Sequence, residues 1–277
     1  MIINHKSPIS DAVVMSSDIK FEGQPLTKLA PATQDEVPDI IDKYPSKYCE
    51  LDPLPKFLLK EVLKYLLPLI KAIINKSLVE SFKKANIRPL LKQPNLDKEE
   101  LKNCRPVSNL PFLEKLVGKR LKTHLSSHIL HDNLQSAYRI GHSTETALLK
   151  VHHDIAEALD MKCMAALVLL DLSAAFDIID HNILQTRLDH SFGVTESAFS
   201  WIKSYLSDRS QCVAIGMTTP EGTCLNFGVP QGSVLGPRKY SLYSKPIGAI
   251  CSRHNLFCHC YADDTQVYMV QDFGLRF

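Results

Sequence analysis

Two adjacent carboxylates, Asp263 and Asp264, stand where two strand-like segments meet. β-Branched and aromatic residues dominate both segments, so residues 261–264 predict the turn of a β-hairpin. Two anions at such a tip repel each other, and a cation between them relieves the repulsion. Mg²⁺ prefers carboxylate oxygens as ligands. A solvated Asp-Asp turn is the commoner explanation of such a pair alone, so a second acidic site is needed to decide.

That second site is Asp171, which ends the apolar run over residues 165–170. A continuous apolar run of this length predicts a strand buried on both faces. A carboxylate at the end of a buried strand is unfavourable unless it is paired, hydrogen-bonded or metal-bound. If the fold brings Asp171 to the hairpin, three carboxylates converge as two-metal phosphoryl transfer requires, with the ions about 3.5–4 Å apart.

A glycine-rich loop lies between the two acidic sites, with the sequence FGVPQGSVLGP at residues 227–237. Gly228 and Gly232 permit close backbone approach, and Pro230 stiffens the loop. Ser233 is a candidate N-cap for a following helix. Such loops are common as ordinary turns, so this one is informative because of its position between the acidic sites.

In this order the three segments resemble the palm motifs of reverse transcriptases. Their detailed sequences are similar to those of non-LTR retrotransposons of the LINE or jockey-like type. The matching strings are LLDLSAAFD at residues 169–177, GVPQGSVLGP at 228–237 and YADD at 261–264. Upstream, NCRPVSNL at 103–110 resembles the family's fingers motif, and residues 135–147 resemble the segment between fingers and palm. LDPLP at 51–55 is similar to the extension before the polymerase core. The resemblance runs from about residue 35 to about residue 270.

The resemblance implies an α+β (α/β) fold of fingers and palm, with a mainly antiparallel palm sheet backed by helices and the thumb absent. We expect a loosely ordered leader over residues 1–48, which contain five prolines. An N-terminal extension and fingers follow over 49–160, and a truncated palm over 161–277. The reverse transcriptase domain as a whole is expected over about 85–277.

The same resemblance implies roles in RNA-directed DNA polymerisation. Asp171 and Asp263 would hold two Mg²⁺ ions, with Mn²⁺ as an alternative, and Asp264 would be a weaker ligand or an electrostatic support. The expected substrates are an RNA template, a DNA primer and a deoxynucleoside triphosphate (dNTP).

Other family positions are expected to hold the nucleotide. Lys92 and Arg105 match fingers positions that neutralise the triphosphate, Arg through a bidentate fork and Lys as a point charge. Gln231 and the loop residues Gly228, Pro230 and Gly232 would support the nascent base pair against the template. Phe176 stands where the family carries the ring that excludes a ribose 2′-hydroxyl, although an ordinary core Phe explains it nearly as well.

Charge is unevenly distributed along the 277 residues. Residues 81–122 contain eleven Lys or Arg and four acidic residues, so they carry +7 while the remainder carries −5. A basic lobe beside an acidic one suits a protein that binds phosphate on one side and metal on the other. Solvated helix faces account for many of these lysines.

Several other classes of site are disfavoured. The eight cysteines are scattered and no signal peptide opens the chain, so we expect an intracellular protein of the nucleus or cytoplasm. A zinc site at Cys251, His254 and residues 258–260 is disfavoured, because His259 would point away from both neighbouring cysteines on a strand. The apolar region over 57–74 is interrupted by charges and Pro68, which predicts no membrane span but one amphipathic helix bent or broken there.

Outside the motifs, periodicity predicts helices over residues 110–126, 144–159 and 196–206, the last burying Trp201. Ser143 and Asp180 are candidate N-caps, Asp180 for a helix running through Leu188. Residues 211–215 and 224–229 predict two strands, joined by residues 216–222.

Departures from the family leave a second class of function open. The chain ends at Phe277, soon after the acidic hairpin, and Arg238 and Lys239 stand where the family runs apolar. The endonuclease and thumb are expected to belong to a longer parent protein, and the isolated chain to be poorly processive or inactive. The alternative is a catalytically inactive truncated remnant that at most binds nucleic acid. A metal nuclease is a weaker alternative, because the glycine loop has no role in it.

Overall fold

The computed structural model describes residues 21–43, 49, 51–52, 54–76, 80–128, 133–172, 174–213 and 221–272. Within these residues the chain has an α+β fold, as expected. Its helices are α1 (Glu36–Lys43), α2 (Lys56–Lys76), α3 (Phe112–His128), α4 (Thr144–Asp160), α5 (His181–His190), α6 (Glu196–Leu206), α7 (Gly236–Ser244) and α8 (Pro246–Arg253). Its strands are β1 (Lys84–Leu91), β2 (Cys104–Asn109), β3 (Met164–Asp171), β4 (Ser210–Val213), β5 (Thr223–Cys224), β6 (Phe257–Tyr261) and β7 (Asp264–Gln271). The predicted connection over 216–222 falls largely outside the described residues.

The strands form two sheets. In the first, the order is β2-β1-β4-β5, and only the β1–β4 pair is parallel. The second has the order β3-β7-β6 and is antiparallel throughout. Asp171, Asp263 and Asp264 all belong to the second sheet or its hairpin turn.

The core lies among the helices. Leu116, Ile179, Leu184 and Leu235 are at most 1% exposed and pack in one apolar cluster. Half-buried Trp201 joins two of the helices, because its Nε1 donates a hydrogen bond to the carbonyl of Ile74 at 3.1 Å.

Helix α2 continues through Pro68 as a single element, with Leu59, Ile70 and Ile74 buried. It is therefore not broken at the proline, although a proline removes one backbone hydrogen bond from the ladder. No helix in the described part of the chain combines the length and apolarity needed to cross a membrane.

Two of the three predicted caps are confirmed. The Ser143 side chain accepts from the backbone N–H of Thr146, and Asp180 accepts from the N–H groups of Asn182 and Ile183. The predicted cap at Ser233 is wrong. The Gly236 N–H bonds to the Ser233 carbonyl in a preceding turn, so α7 begins three residues later, with a proline in its first turn.

The structure also differs from the expected loose order of residues 1–48, of which 1–20 and 44–48 lie outside the described part. Val37 and Ile41 of α1 are fully buried in the core. Glu36 pairs with Arg120 of α3 at 3.1 Å, and the Ala32 N–H donates to Asn75 Oδ1 at 2.8 Å. Residues 21–43 are therefore packed against the helical layer.

The expectation that β3 is buried on both faces is wrong. Its side chains are largely exposed, including Val168 at 53% and Leu169 at 70%. The physical reason is its position, because β3 is an edge strand that pairs with β7 alone. The apolar run predicted the strand correctly but not its neighbours.

Candidate active site

The second sheet brings the three predicted carboxylates to one end. Asp171 closes β3 and lies directly opposite Asp264, the first residue of β7. Asp263 precedes it in the two-residue turn with Ala262, whose φ is +55°. Asp171 and Asp264 are exposed and Asp263 is half-buried. Residues 261–264 thus form the predicted hairpin turn, with one acid in the turn and two across the strand pair.

Gln135 fixes the position of this turn. Its Oε1 accepts hydrogen bonds from the N–H groups of Ala262 and Ala137 at 2.9 and 3.0 Å. Its Nε2 donates to the Ala262 carbonyl at 3.1 Å. Gln135 is 6% exposed, so these bonds form away from bulk water. No local sequence pattern indicated this role for Gln135, because its partner lies 127 residues further along the chain.

We expect Gln135→Ala to slow nucleotide incorporation. In free-energy terms, the loss of rate is expected to exceed the loss of folding stability. Losing three buried hydrogen bonds costs about 1–3 kcal/mol and frees the turn that holds Asp263. Gln135→Glu is a second variant: it keeps an acceptor for both N–H groups but places a buried negative charge against the Ala262 carbonyl, so its rate is also expected to fall. Incorporation rates and urea unfolding of the three proteins test this, and equal rates in all three would contradict a positioning role.

The glycine loop packs against the segment that follows Asp171. The Gly228 N–H donates to the Ile179 carbonyl at 2.7 Å, and the Val229 N–H donates to that of Phe176 at 2.8 Å. Gly228 has φ +79°, and a Cβ there would lie 2.9 Å from backbone atoms of Phe176 and Asp177. Only glycine fits this position without moving the backbone.

His181 completes this contact from the first turn of α5. Its Nε2 lies 2.6 Å from the Gly228 carbonyl, to which it donates. Burial lowers the pKa of His181, and the bond to the carbonyl opposes that shift. The sequence did not single out His181, although its place directly after the Asp180 cap put it at a helix start.

The loop also reaches the first sheet. The Ser108 N–H of β2 donates to the Gln231 carbonyl at 2.8 Å. Gly232 has φ +96°, and a Cβ there would lie 3.3 Å from the Ser108 carbonyl. The Gln231 side chain makes a long contact of 3.5 Å to Asp177, and burial raises the pKa of that carboxyl. Gln231 therefore joins the first sheet to the segment that follows β3, and Pro230 beside it is buried.

Phe176 lies between the loop and α7. It is half-buried against the core, and its ring centroid is 5.4 Å from that of Tyr240. Burial raises the pKa of Tyr240, with further contributions from Asp263 and Asp264. Burial and Asp263 also raise the pKa of Tyr138. Two phenol groups thus lie near the carboxylates, and no sequence signal assigned either of them a role.

Arg105 lies on the first sheet, Lys92 directly follows β1, and both are exposed. Arg105 is opposite Leu90 in the β1–β2 register, and the Lys92 N–H donates to the Asn103 carbonyl at 2.9 Å, just beyond the last register pair. The two cations therefore lie near the same end of the β1–β2 pair. No ion pair joins either cation to the three carboxylates in the part of the chain that the structure describes.

A metal fit is supported here by donor chemistry. Carboxylates at directly opposed strand positions have Cβ atoms about 4.5–5.5 Å apart, within reach of one shared cation. Among the described residues, no group of three or more His, Cys, Asp or Glu side chains is placed so that it could hold a metal ion.

The zinc site that the sequence disfavoured involves His259. The His259 side chain bonds Ser136 and points to the opposite strand face from Cys258 and Cys260.

Comparison with known proteins identifies the family. The family model "Reverse transcriptase (RNA-dependent DNA polymerase)" matches residues 92–272, well over half of the chain. The chain belongs to the reverse transcriptase family. The expected likeness to LINE or jockey-like elements is also confirmed.

The curated relatives are polymerases of mobile elements from Drosophila. "Probable RNA-directed DNA polymerase from transposon X-element" of Drosophila melanogaster is 28% identical over 80% of this chain and 26% of its own length. "RNA-directed DNA polymerase from mobile element jockey" of Drosophila funebris is 27% identical over 86% of this chain and 27% of its own length. This chain spans about a quarter of the relatives it matches.

Among solved structures, a chain of the "Partial Cas6-RT-Cas1--Cas2 complex" aligns with a TM-score of 0.45 at 17% identity. The alignment covers 87% of this chain and 37% of that chain. Reverse transcriptases generally use divalent metal ions and act on nucleic-acid templates, primers and nucleotides.

Proposed function

We propose that this chain is the RNA-directed DNA polymerase domain of a LINE-type retroelement, joining a dNTP to a primer 3′-hydroxyl on an RNA template. The observation that supports it most is the pairing of Asp171 with Asp264 across two strands, with Asp263 in the adjoining turn. The glycine loop is hydrogen-bonded to the first sheet at Ser108 and to the segment that follows Asp171 at Phe176 and Ile179.

Asp171 and Asp263 would hold two divalent ions, Mg²⁺ or Mn²⁺, with Asp264 as a weaker ligand or an electrostatic support. Bound there, such ions lower the pKa of an attacking hydroxyl and stabilise a leaving pyrophosphate. Tyr240 and Tyr138 stay protonated beside these acids, since burial and the acidic neighbours raise their pKa values. They are available as hydrogen-bond donors at this end of the sheet.

The first sheet is proposed as the fingers and the second as the palm. Lys92 and Arg105, exposed near the same end of the β1–β2 pair, would neutralise the triphosphate of the dNTP. The hydrogen bond between Ser108 and Gln231 would couple movement of the fingers to the glycine loop. Gln231 of this loop would support the new base pair. Phe176, backed by Tyr240, would exclude a ribose 2′-hydroxyl.

The proposal is tested by single-nucleotide incorporation on an RNA template with a DNA primer, Mg²⁺ and excess protein. One-step incorporation does not depend on processivity, so it suits a chain that covers a quarter of its relatives. We expect the matching dNTP to be added and the corresponding ribonucleotide to be rejected. Gel-shift binding of the primer–template without any incorporation would instead support a remnant that only binds nucleic acid.

A further inference from the structure

A second concave site lies on the second sheet, away from the carboxylates. It is a cleft of about 500 Å³, a size typical of small-ligand sites. Phe257 and Tyr268 form part of its lining and are paired four positions from the hairpin end, roughly 13 Å from it. No residue of the two acidic motifs or the glycine loop lines the cleft.

The floor of the cleft is aromatic. The rings of Phe257 and Tyr268 stack with centroids 5.5 Å apart and an angle of 19° between their planes. Tyr268 is 4% exposed, whereas Phe257 is 54% exposed. Phe257 therefore offers apolar ring surface to the cleft, braced by the buried ring beside it. Planar bases of any sequence stack on such a surface.

A cation is fixed beside this floor on α4. Tyr268 donates its hydroxyl hydrogen to Asp154, and Lys150 Nζ donates to both oxygens of the same carboxylate. An ammonium has three donors, so one donor of Lys150 is left for a ligand. The Lys150 side chain remains 55% exposed. Burial raises the pKa of Tyr268, with Asp154 adding to the shift, so the phenol keeps its role as a donor.

Neutral polar groups line the edge of the cleft. Ser136 Oγ and His259 Nε2 lie 2.8 Å apart, and both residues are buried. Burial and the charge of Lys150 lower the pKa of His259, which favours the neutral ring at pH 7. Asn133 and Ser252 also line the cleft and carry hydrogen-bonding side chains suited to the edge of a base.

We propose that this cleft binds a nucleoside phosphate, with its base stacked on Phe257 and its phosphate on Lys150. An open aromatic ring, a lysine held by Asp154 with one donor left over, and neutral hydrogen-bonding groups match a base and a phosphate on one ligand. The ligand is either a free nucleotide or one unit of a single strand. The site is independent of the proposed polymerase activity, because it shares no residue with the carboxylate site.

Photo-crosslinking locates the ligand directly. We would irradiate the full 277-residue chain with 5-iodouridine monophosphate, or with a short oligouridylate carrying one 5-iodouridine, and map the adducts by mass spectrometry. We expect an adduct on Phe257 itself, assigned by fragment-ion sequencing, because residues 254–275 contain no lysine or arginine and Asp263 falls in the same tryptic peptide. An adduct with the mononucleotide identifies a free nucleotide as sufficient, and one with the oligonucleotide alone identifies a single strand. Absence of this adduct with both probes overturns the proposal.

Matched variants separate stacking from general damage. Phe257→Ala is expected to weaken binding of the crosslinking probe about fivefold or more. Phe257→Tyr keeps the aromatic ring and is expected to keep the affinity for the probe. Met164→Ala, at a residue 58% exposed on the same sheet but outside the cleft, is expected to bind normally. Asp263→Asn is expected to keep the adduct, so a failed polymerase proposal is distinguishable from a failed cleft proposal. Unchanged binding by a folded Phe257→Ala protein contradicts the stacking proposal.

Discussion

Asp263→Asn is expected to reduce single-nucleotide incorporation to on the order of a thousandth of the wild-type rate or below. Metal ions supply several kcal/mol to such reactions, and each 1.4 kcal/mol is a factor of ten in rate. Asparagine keeps the size of the side chain but removes its charge, so the turn held by Gln135 is expected to persist. The measurement is the rate of addition of one dNTP with Mg²⁺.

The other acids give a graded comparison. Asp171→Asn is expected to match Asp263→Asn, and Asp264→Asn to lose less, since it is assigned the weaker ligand role. Asp160→Asn, at an exposed acid at the end of α4, is the matched control and is expected to keep the wild-type rate. If Asp263→Asn retained more than about a tenth of the wild-type rate, the carboxylate would have no catalytic role of the proposed kind.

Lys239→Met is expected to stabilise the fold by roughly 4 kcal/mol near pH 7, with the gain shrinking as the pH rises. Lys239 is 7% exposed, and its Nζ has no hydrogen-bond partner among the described residues. It lies 4.6 Å from the centre of the Tyr205 ring. Burial and the nearby Arg209 lower the pKa of Lys239 from 10.5 to about 7, while Glu114 opposes the shift.

The sign of the pH dependence follows from proton binding. Between pH 7 and 10.5 the unfolded chain keeps the proton that folded Lys239 has released, so this group makes stability rise with pH across that window. The slope is at most about 1.4 kcal/mol per pH unit. Methionine fills similar space without an ionisable group, so its advantage is expected to be largest at pH 7 and small near pH 10.

Urea unfolding of both proteins at pH 7 and 9.5 measures this difference. Other groups near Lys239, among them Glu114, Arg209, Tyr205 and His181, are present in both proteins, so their titration largely cancels. Lys203→Met, at an exposed lysine of α6, is the control and is expected to show no such trend. A Lys239→Met advantage that does not change with pH would contradict a neutral buried lysine.

Local patterns predicted much of the fold. The bounds of α6 agree with those predicted from its periodicity. Ser143 caps α4 by accepting a hydrogen bond from a residue only three positions away. The hairpin that carries Asp263 was predicted because both of its arms and its turn have distinct residue types. These features depend on neighbours close in sequence, whose geometry is fixed by the helix or strand period.

Features that depend on distant partners could not be predicted in the same way. The exposure of β3 depends on which strands and helices lie beside it, and the apolar run carries no such information. Arg120 pairs with Glu36, 84 residues away, and no local pattern indicates that partner. The burial of Lys239 likewise depends on Tyr205, which belongs to a different helix.

Mn²⁺ binding measured by electron paramagnetic resonance tests the proposed cation site without template or turnover. The wild-type chain and Asp160→Asn are expected to take up Mn²⁺, and Asp171→Asn and Asp263→Asn are expected to bind it at least about tenfold more weakly. Equal Mn²⁺ uptake by all four proteins would contradict the claim that Asp171 and Asp263 form a divalent-cation site.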